Sequence, residues 1–225
     1  MQNSGFEVLL SINNLERLAL GLGGTLEIAL LSVVLSLVLG VFYGLVMTSK
    51  NRLIYGLCRV YLETFRIVPI LVWLFLLFFG SAIVLKTNLD GIFVSIIVFS
   101  LWGCAEMGDL VRGTVTAIPL HQWQSAEALG LGKWQILRFV IIPQALRKIT
   151  PPAVNLITRM IKTTPLVVFV GVTEILRVGK QIIEFNMMTN PMASFWIYGL
   201  IFLVYFFICY PISRFSKKLE ERWAF

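Results

Sequence analysis

One apolar run decides the fold class of this chain. Residues 25 to 47 read TLEIALLSVVLSLVLGVFYGLVM, and Glu27 is the only charged residue among them. As an α-helix the run would be about 35 Å long, enough to cross the roughly 30 Å hydrocarbon core of a bilayer. Of the 225 residues, 58% are apolar and 14% are charged, against roughly 45–50% and 25% in soluble domains. The sequence therefore predicts an integral membrane protein.

Four further apolar segments follow along the chain. They cover residues 54–79, 91–108, 152–176 and 195–212. Pro69 lies inside the first of these four, so we expect that span to be kinked or broken there. Residues 6 to 20 have mixed polarity and fit a short helix at the membrane surface. The prediction is a single all-α domain over residues 1–225, a polytopic bundle of five transmembrane helices.

Basic residues are concentrated on one side of the predicted bundle, and the formal net charge is +7. The ends of the odd-numbered spans carry Lys50, Arg52, Arg112, Lys133, Arg138, Arg147, Lys148, Arg214, Lys217, Lys218 and Arg222. The opposite side carries Arg17, Lys86, Arg177 and Lys180. Because cytoplasmic loops collect Lys and Arg, we expect the N-terminus outside and the C-terminus in the cytoplasm. This bias accounts for the positive charge without a nucleic acid partner.

The longest segment between spans, residues 112–151, contains two predicted short helices. Gln122 to Leu129 is a run of helix formers followed by Gly130, which suits a helix C-terminus, and Trp134 to Val140 should stop before Pro143. Small side chains that would let another surface approach stand at Ser125, Ala126 and Ala128. This pattern favours a docking element, and an amphipathic helix at the membrane interface fits it equally well.

In the same segment Gln124-Ser125-Ala126 is followed at fixed spacings by Gly130, Val140, Ile142 and Pro143. This spacing resembles the signature loop of the permease subunits of bacterial ATP-binding-cassette importers: Glu-Ala-Ala, three residues, Gly, nine residues, Ile, one residue, Leu-Pro. In that family the loop forms a coupling helix that fits a groove of the ATP-binding subunit. The resemblance implies that residues 118–145 are the coupling loop. The implied contacts with the ATPase are Gln124, Ser125, Ala126, Gly130, Leu131 and Pro143.

Other motifs resemble the polar amino acid branch of that family and together cover nearly the whole chain. They are Gly24-Thr25-Leu26, Tyr61 to Arg66, Pro69-Ile70-Leu71, Asp109 to Gly113, Ile118-Pro119, Gln122, Pro143-Gln144-Ala145 and Lys162 to Leu166. The resemblance implies an inner-membrane permease that moves a polar amino acid by alternating access. The implied partners are an ATPase dimer holding ATP and Mg, a second identical or related permease subunit and a periplasmic or lipid-anchored substrate-binding protein, besides membrane lipids.

Charged side chains within the spans need an explanation, because they are costly in lipid. Asp109 and Arg112 are three residues apart, which favours a structural ion pair. Glu63 and Arg66 have the same spacing and the same interpretation. Glu106 is the best candidate for a translocation-path group, although pairing with Arg66 or Lys162 fits equally well.

A second candidate for the translocation path is the segment around Pro165. Lys162 lies three residues before this proline, and Thr164 directly precedes it. A helix broken at Pro165 would expose backbone groups to a cavity, as in many transporters. A purely structural role of Lys162 remains open.

Sequence signatures of catalysis and metal binding are absent. The chain has no Gly-x-x-x-x-Gly-Lys-Ser/Thr phosphate loop, and Cys58, Cys104 and Cys209 lack metal-ligand spacing. We therefore expect no catalytic residue, no metal site and no cofactor on this chain, and ATP hydrolysis by a partner. Two alternatives are an ion-gradient-driven secondary transporter or channel, in which Glu106 and Asp109 would be coupling carboxylates, and a membrane anchor or assembly subunit.

Overall fold

A computed structural model describes residues 6–84 and 86–223, and every regular element there is helical. The helices are α1 (Glu7–Leu10), α2 (Ile12–Val46), α3 (Arg52–Ile67), α4 (Ile70–Val84), α5 (Gly91–Thr116), α6 (Leu120–Ala128), α7 (Lys133–Ile136), α8 (Ile142–Thr163), α9 (Ile175–Asn186) and α10 (Ala193–Trp223). A π-helical turn, Leu137–Ile141, joins α7 to α8, and a 3-10 helix, Thr164–Val170, follows α8. The predicted all-α fold class is confirmed.

Four helical segments of the described chain are long and apolar enough to cross a membrane: α2, α5, Lys133–Val170 and α10. A fifth span results if α3 and α4 count as one, and these two helices are bent by 101°. The predicted break at Pro69 is confirmed, because Val68 has an extended backbone (ψ 126°) where α3 ends. The ring of a proline disfavours the helical conformation in the residue before it.

The first span differs from its prediction in where it begins. Helix α2 starts at Ile12, and the glycines at 21 to 24 do not interrupt it. Instead they allow close packing: a Cβ atom on Gly24 would lie 2.9 Å from the carbonyl oxygen of Thr173, and one on Gly21 3.0 Å from the Cα of Ile175. These glycines are helix-contact positions of the kind common in membrane proteins.

The prediction that a helix stops before Pro143 is wrong. The chain passes from α7 through the π-helical turn into α8 without leaving helical structure, and α8 also contains Pro151 and Pro152. A proline lacks the amide hydrogen of a regular helix, and local π adjustments accommodate that loss. The amphipathic helix α9 is a further element that the span analysis did not predict.

Contacts divide the chain into two compact units. The first takes in the chain up to Ser32 together with Ile70–Val98 and Thr158–Pro211. Its apolar core brings α9 against α10 and the N-terminal helices, and consists of Val8, Leu18, Ile175, Val178, Ile182, Ala193, Ile197 and Ile201. Gly179 allows the close approach in that core, since a Cβ atom there would lie 3.1 Å from Cγ2 of Ile197.

The second unit takes in Val33–Pro69, Phe99–Ile157 and the chain from Ile212 onward. Within it α2 and α5 pack closely at glycines: a Cβ atom on Gly44 would lie 2.6 Å from the carbonyl oxygen of Gly108. Two tyrosine hydroxyls fix α3 beside these helices. Tyr43 donates to the carbonyl of Cys58 (2.6 Å), and Tyr61 to that of Leu101 (2.7 Å). Each hydroxyl donates to a backbone carbonyl, an acceptor that lipid could not provide.

Candidate functional site

The loop after α5 contains a short helix with a well-defined end. Gly130 has a left-handed backbone (φ +79°) directly beyond α6. The amide of Gly130 donates to the carbonyl of Glu127 (2.9 Å), and the amide of Leu131 donates to that of Ala126 (3.2 Å). This pair of bonds is a Schellman motif, which suits glycine because an L side chain is strained at positive φ. The predicted helix closed by Gly130 is confirmed.

Side-chain amides connect this loop to the next helices. The Gln135 side chain accepts a hydrogen bond from the Gly132 amide (2.8 Å) and so caps the start of α7. The Gln144 amide donates to the side-chain oxygen of Gln122 (3.2 Å), which joins α8 to α6. Both the chain itself and this bond therefore connect α6 to α8.

The predicted contact residues of the loop differ in exposure. Gln124, Ser125, Gly130 and Pro143 are exposed, and Leu131 is half-buried. Ala126 is only 5% exposed, so its side chain packs inside the unit and offers little surface to a partner.

Several large apolar side chains of the loop are exposed instead, most of all Leu129 (82%) and Trp134 (71%). Sequence reasoning missed Leu129, although an apolar residue just before a helix-closing glycine is a usable signal.

Asp109 on α5 is the centre of a three-residue ionic group. It pairs with Arg112 on the same helix (2.8 Å) and with Arg66 on α3 (2.8 Å). The predicted Glu63–Arg66 pair is wrong, since Glu63 pairs with Arg59 at 2.7 Å. Arg59, four residues before Glu63 on the same helix, is its partner, and Arg66 reaches Asp109 on the neighbouring helix instead.

The predicted path residues lie in different surroundings. Glu106 is half-buried on α5, one turn before Asp109, and Lys162 is exposed near the end of α8. Thr164 is buried: its hydroxyl donates to the carbonyl of Ile161 (2.8 Å) and lies 3.4 Å from the Tyr205 hydroxyl. The expected helix break is present, because α8 gives way to the 3-10 helix at Thr164–Val170.

Sequence reasoning missed the buried carboxylate of Glu174. This residue is fully buried and caps α9, with Oε1 accepting from the Arg177 amide at 2.7 Å. The Thr25 hydroxyl of α2 accepts from the adjacent Ile175 amide at 3.2 Å. Burial raises the pKa of the Glu174 carboxyl, and hydrogen bonds from Leu176, Arg177 and Thr25 offset part of that rise. Its position one residue before the apolar periodicity of α9 was the available signal.

We expect Glu174→Gln to stabilise the protein at neutral pH. The raised pKa means that the protonated carboxyl contributes stability below its ordinary pKa of 4.5, and that this contribution is lost as pH rises through the folded-state value. Glutamine carries no charge and keeps an oxygen for the Arg177 amide. Thermal unfolding in detergent should show equal stability of variant and wild type at pH 4 or below and a more stable variant at neutral pH.

The control is Glu174→Ala, which removes the cap as well as the carboxyl and should be less stable than Glu174→Gln by about 1 kcal/mol at every pH. If the thermal stability of wild type and Glu174→Gln changed equally with pH, the raised pKa of the Glu174 carboxyl would be contradicted.

Comparison with known families decides what kind of protein has this loop and these helices. Residues 36–219 match the family described as binding-protein-dependent transport system inner membrane component. The chain belongs to this family. It is therefore a multi-pass inner-membrane permease, as the loop spacing predicted. The gradient-driven alternative is not favoured.

Individual relatives and solved structures agree with this assignment. The permease is 33% identical to a probable amino-acid ABC transporter permease protein, YckA, of Bacillus subtilis, over 97% of this chain and 94% of that one. It is 30% identical to a probable glutamine ABC transporter permease protein, GlnP, of the same organism, over 88% and 89%. Its fold is similar to that of an amino acid ABC transporter crystallised with histidines, with a TM-score of 0.82 at 24% identity over 95% and 97%.

A second solved structure with a similar fold is that of the MetNI methionine ABC transporter in an inward-facing conformation. Its TM-score is 0.72 at 18% identity, over 93% of this chain and 99% of that one. These likenesses support the permease fold of the chain.

Proposed function

We propose that this permease moves a polar amino acid into the cytoplasm in a complex with three kinds of partner. They are a dimer of ATPase subunits that hold ATP and Mg, a second permease subunit, identical or related, and a substrate-binding protein on the outer side. The observation that carries the proposal is the α6 loop, whose Schellman motif at Gly130 presents Gln124, Ser125 and Leu129 on an exposed surface. The names of the similar permeases support the amino acid as substrate class.

The orientation that this proposal requires places the loop and the C-terminus in the cytoplasm. The distribution of basic residues supports it, since Lys133, Arg138, Arg147 and Lys148 all follow α6 within one segment. Cytoplasmic loops are enriched in such residues. The ATPase subunits would then approach α6 from the side opposite the substrate-binding protein.

Coupling in this proposal passes from α6 to the membrane helices. Closure of the ATPase dimer on ATP would displace α6, and the Gln122–Gln144 bond and the short α7 would pass that displacement to α8. Because the π-helical turn keeps the helical path continuous, α8 would move with the loop. The result would be a switch of the spans from inward-open to outward-open, as alternating access requires.

For the translocation path we propose two sites. Glu106 on α5 supplies a carboxylate that would attract the ammonium group of an amino acid. The segment of Lys162, Thr164 and Pro165, where α8 changes to a 3-10 helix, would border the path with a cation and freed backbone groups. Which amino acid is chosen would depend largely on the substrate-binding protein.

Uptake into proteoliposomes tests the proposed function. The complex of permease, ATPase subunits and substrate-binding protein should accumulate a labelled polar amino acid when ATP is present on the ATPase side. Omission of the ATPase subunits, or of ATP, should abolish uptake. Uptake that needs neither and follows an imposed ion gradient would instead establish the secondary-transporter alternative.

A further inference from the structure

The methionines of residues 6–84 and 86–223 fall into two groups by exposure. The buried group is at most 4% exposed and consists of Met47, Met107 and Met160. The exposed group is 66%, 95% and 59% exposed and consists of Met187, Met188 and Met192 in that order. The exposed thioethers are clustered in the turn that joins α9 to α10, and no methionine of intermediate exposure lies elsewhere in the described chain.

The structure of this turn does not depend on the methionine side chains. The amides of Thr189 and Asn190 both donate to the carbonyl of Asn186, at 3.2 and 2.8 Å, and the amide of Ala193 donates to the carbonyl of Asn190 at 2.9 Å. The apolar core beneath the turn includes Ile182 and Ala193 and none of the three methionines. A chemical change at the three thioethers would therefore alter the surface and leave the packing of the core unchanged.

The other oxidisable sulfur groups of the described chain are shielded. Cys104 and Cys209 are buried, and Cys58 is half-buried on α3. A cysteine reacts with oxidants as an accessible thiolate, which these positions do not offer. The turn lies between the candidate spans that end at Val170 and begin again at Ala193, so a water-soluble oxidant can reach its thioethers.

We infer that Met187, Met188 and Met192 form a site of reversible oxidation by a peroxide. A thioether sulfur attacks one peroxide oxygen, the O–O bond breaks and an S–O bond forms. The sulfur is oxidised to the sulfoxide by loss of an electron pair, and hydrogen peroxide is reduced to water. Methionine sulfoxide reductases reverse the step: a dithiol supplies the electron pair and two hydrogens, and the oxygen leaves as water.

Oxidation at this site would change the polarity of one patch of the surface. Phe185 (86% exposed) and Phe195 (68%) flank the methionines, so the patch is apolar before oxidation. A sulfoxide is a polar group, and three of them would make the same patch polar. In the proposed orientation the turn lies on the outer side of the membrane, away from the thiols that keep the cytoplasm reducing.

The test treats the full-length permease in lipid nanodiscs with hydrogen peroxide and follows each methionine by peptide mass spectrometry. Met187, Met188 and Met192 should each gain an oxygen atom roughly tenfold faster than Met47, Met107 and Met160. In a strong denaturant all six should react at similar rates, which would show that the fold causes the selectivity. Thermal unfolding of the oxidised permease should match that of the untreated one, and added reductases MsrA and MsrB should remove the oxygen atoms from the folded protein.

The control variant combines Met187→Leu, Met188→Leu and Met192→Leu. It should unfold at the wild-type temperature and lack the fast phase of oxidation. Equal oxidation rates for the exposed and buried methionines of the folded permease would overturn the inference. So would a lower unfolding temperature after oxidation of the wild type but not of the variant, or sulfoxides that the reductases leave in place. Because none of these measurements uses transport, a failure here is distinguishable from a failure of the proposed function.

Discussion

Replacing Gly130 with valine is expected to lower ATP-dependent uptake by roughly thirtyfold while leaving the permease folded in the membrane. Gly130 has φ +79° in the Schellman motif, a conformation that costs an L residue about 1–2 kcal/mol and a β-branched one more. Nothing lies within 4 Å of a Cβ atom added at Gly130, so the effect comes from the backbone and not from a clash. The variant would populate the docking conformation of α6 only rarely.

Two matched variants separate this backbone effect from simple damage to the loop. Gly130→Asn should retain most uptake, because asparagine tolerates the left-handed conformation. Gly132→Ala, two residues further on, should behave as wild type, since Gly132 has an ordinary φ of −70°. All three are measured in proteoliposomes with ATPase subunits and substrate-binding protein, after equal insertion has been verified. Normal uptake by Gly130→Val would remove α6 from the coupling pathway.

The sequence was most informative where a single physical requirement acts on a stretch of residues. Apolar runs long enough to cross a bilayer predicted the spans, and a glycine after helix formers predicted the end of α6. Pro69 predicted the break between α3 and α4 because its effect on the preceding residue is local. Such features can be predicted without knowing which helices pack beside them.

The sequence was least informative where the local structure or the partner of a residue depends on a neighbouring helix. The first span was expected from residue 25, yet α2 begins at Ile12, and Gly21 and Gly24 lie within it where other backbone packs against them. Pro143 was expected to end a helix, and a π-helical turn accommodates it. The partner of Arg66 proved to be Asp109, 43 residues away, which no local spacing rule could identify.

The burial of Glu174 could not be predicted from the sequence for the same reason. Its carboxylate lies after Gly171 and before α9, near the end of the apolar segment 152–176 that was predicted to be a span. Only the packing of α2 and α10 around α9 makes this carboxylate fully buried. Spans are recognised by hydropathy, but the burial of a charge between them is a property of tertiary structure.

Asp109→Asn is expected to lower the free energy of unfolding by about 2 kcal/mol, because it removes a carboxylate shared by two arginines. Asp109 receives hydrogen bonds from Arg112 at 2.8 and 3.1 Å and from Arg66 at 2.8 Å, and its side chain is 22% exposed. Without it two cations would face each other inside the second unit with an uncharged amide between them. Partial solvent access reduces the cost below that of a fully buried pair.

The matched control for Asp109→Asn is Glu63→Gln, which breaks the Arg59–Glu63 pair on α3. That pair is as short, at 2.7 Å, but its side chains are 44% and 35% exposed, so we expect a loss of about 0.5 kcal/mol or less. Adding Arg112→Gln to Asp109→Asn should recover part of the lost stability by removing one of the two repelling cations. Thermal unfolding in one detergent compares the variants, and a loss for Asp109→Asn no larger than that for Glu63→Gln would show that the shared carboxylate does not hold α3 to α5.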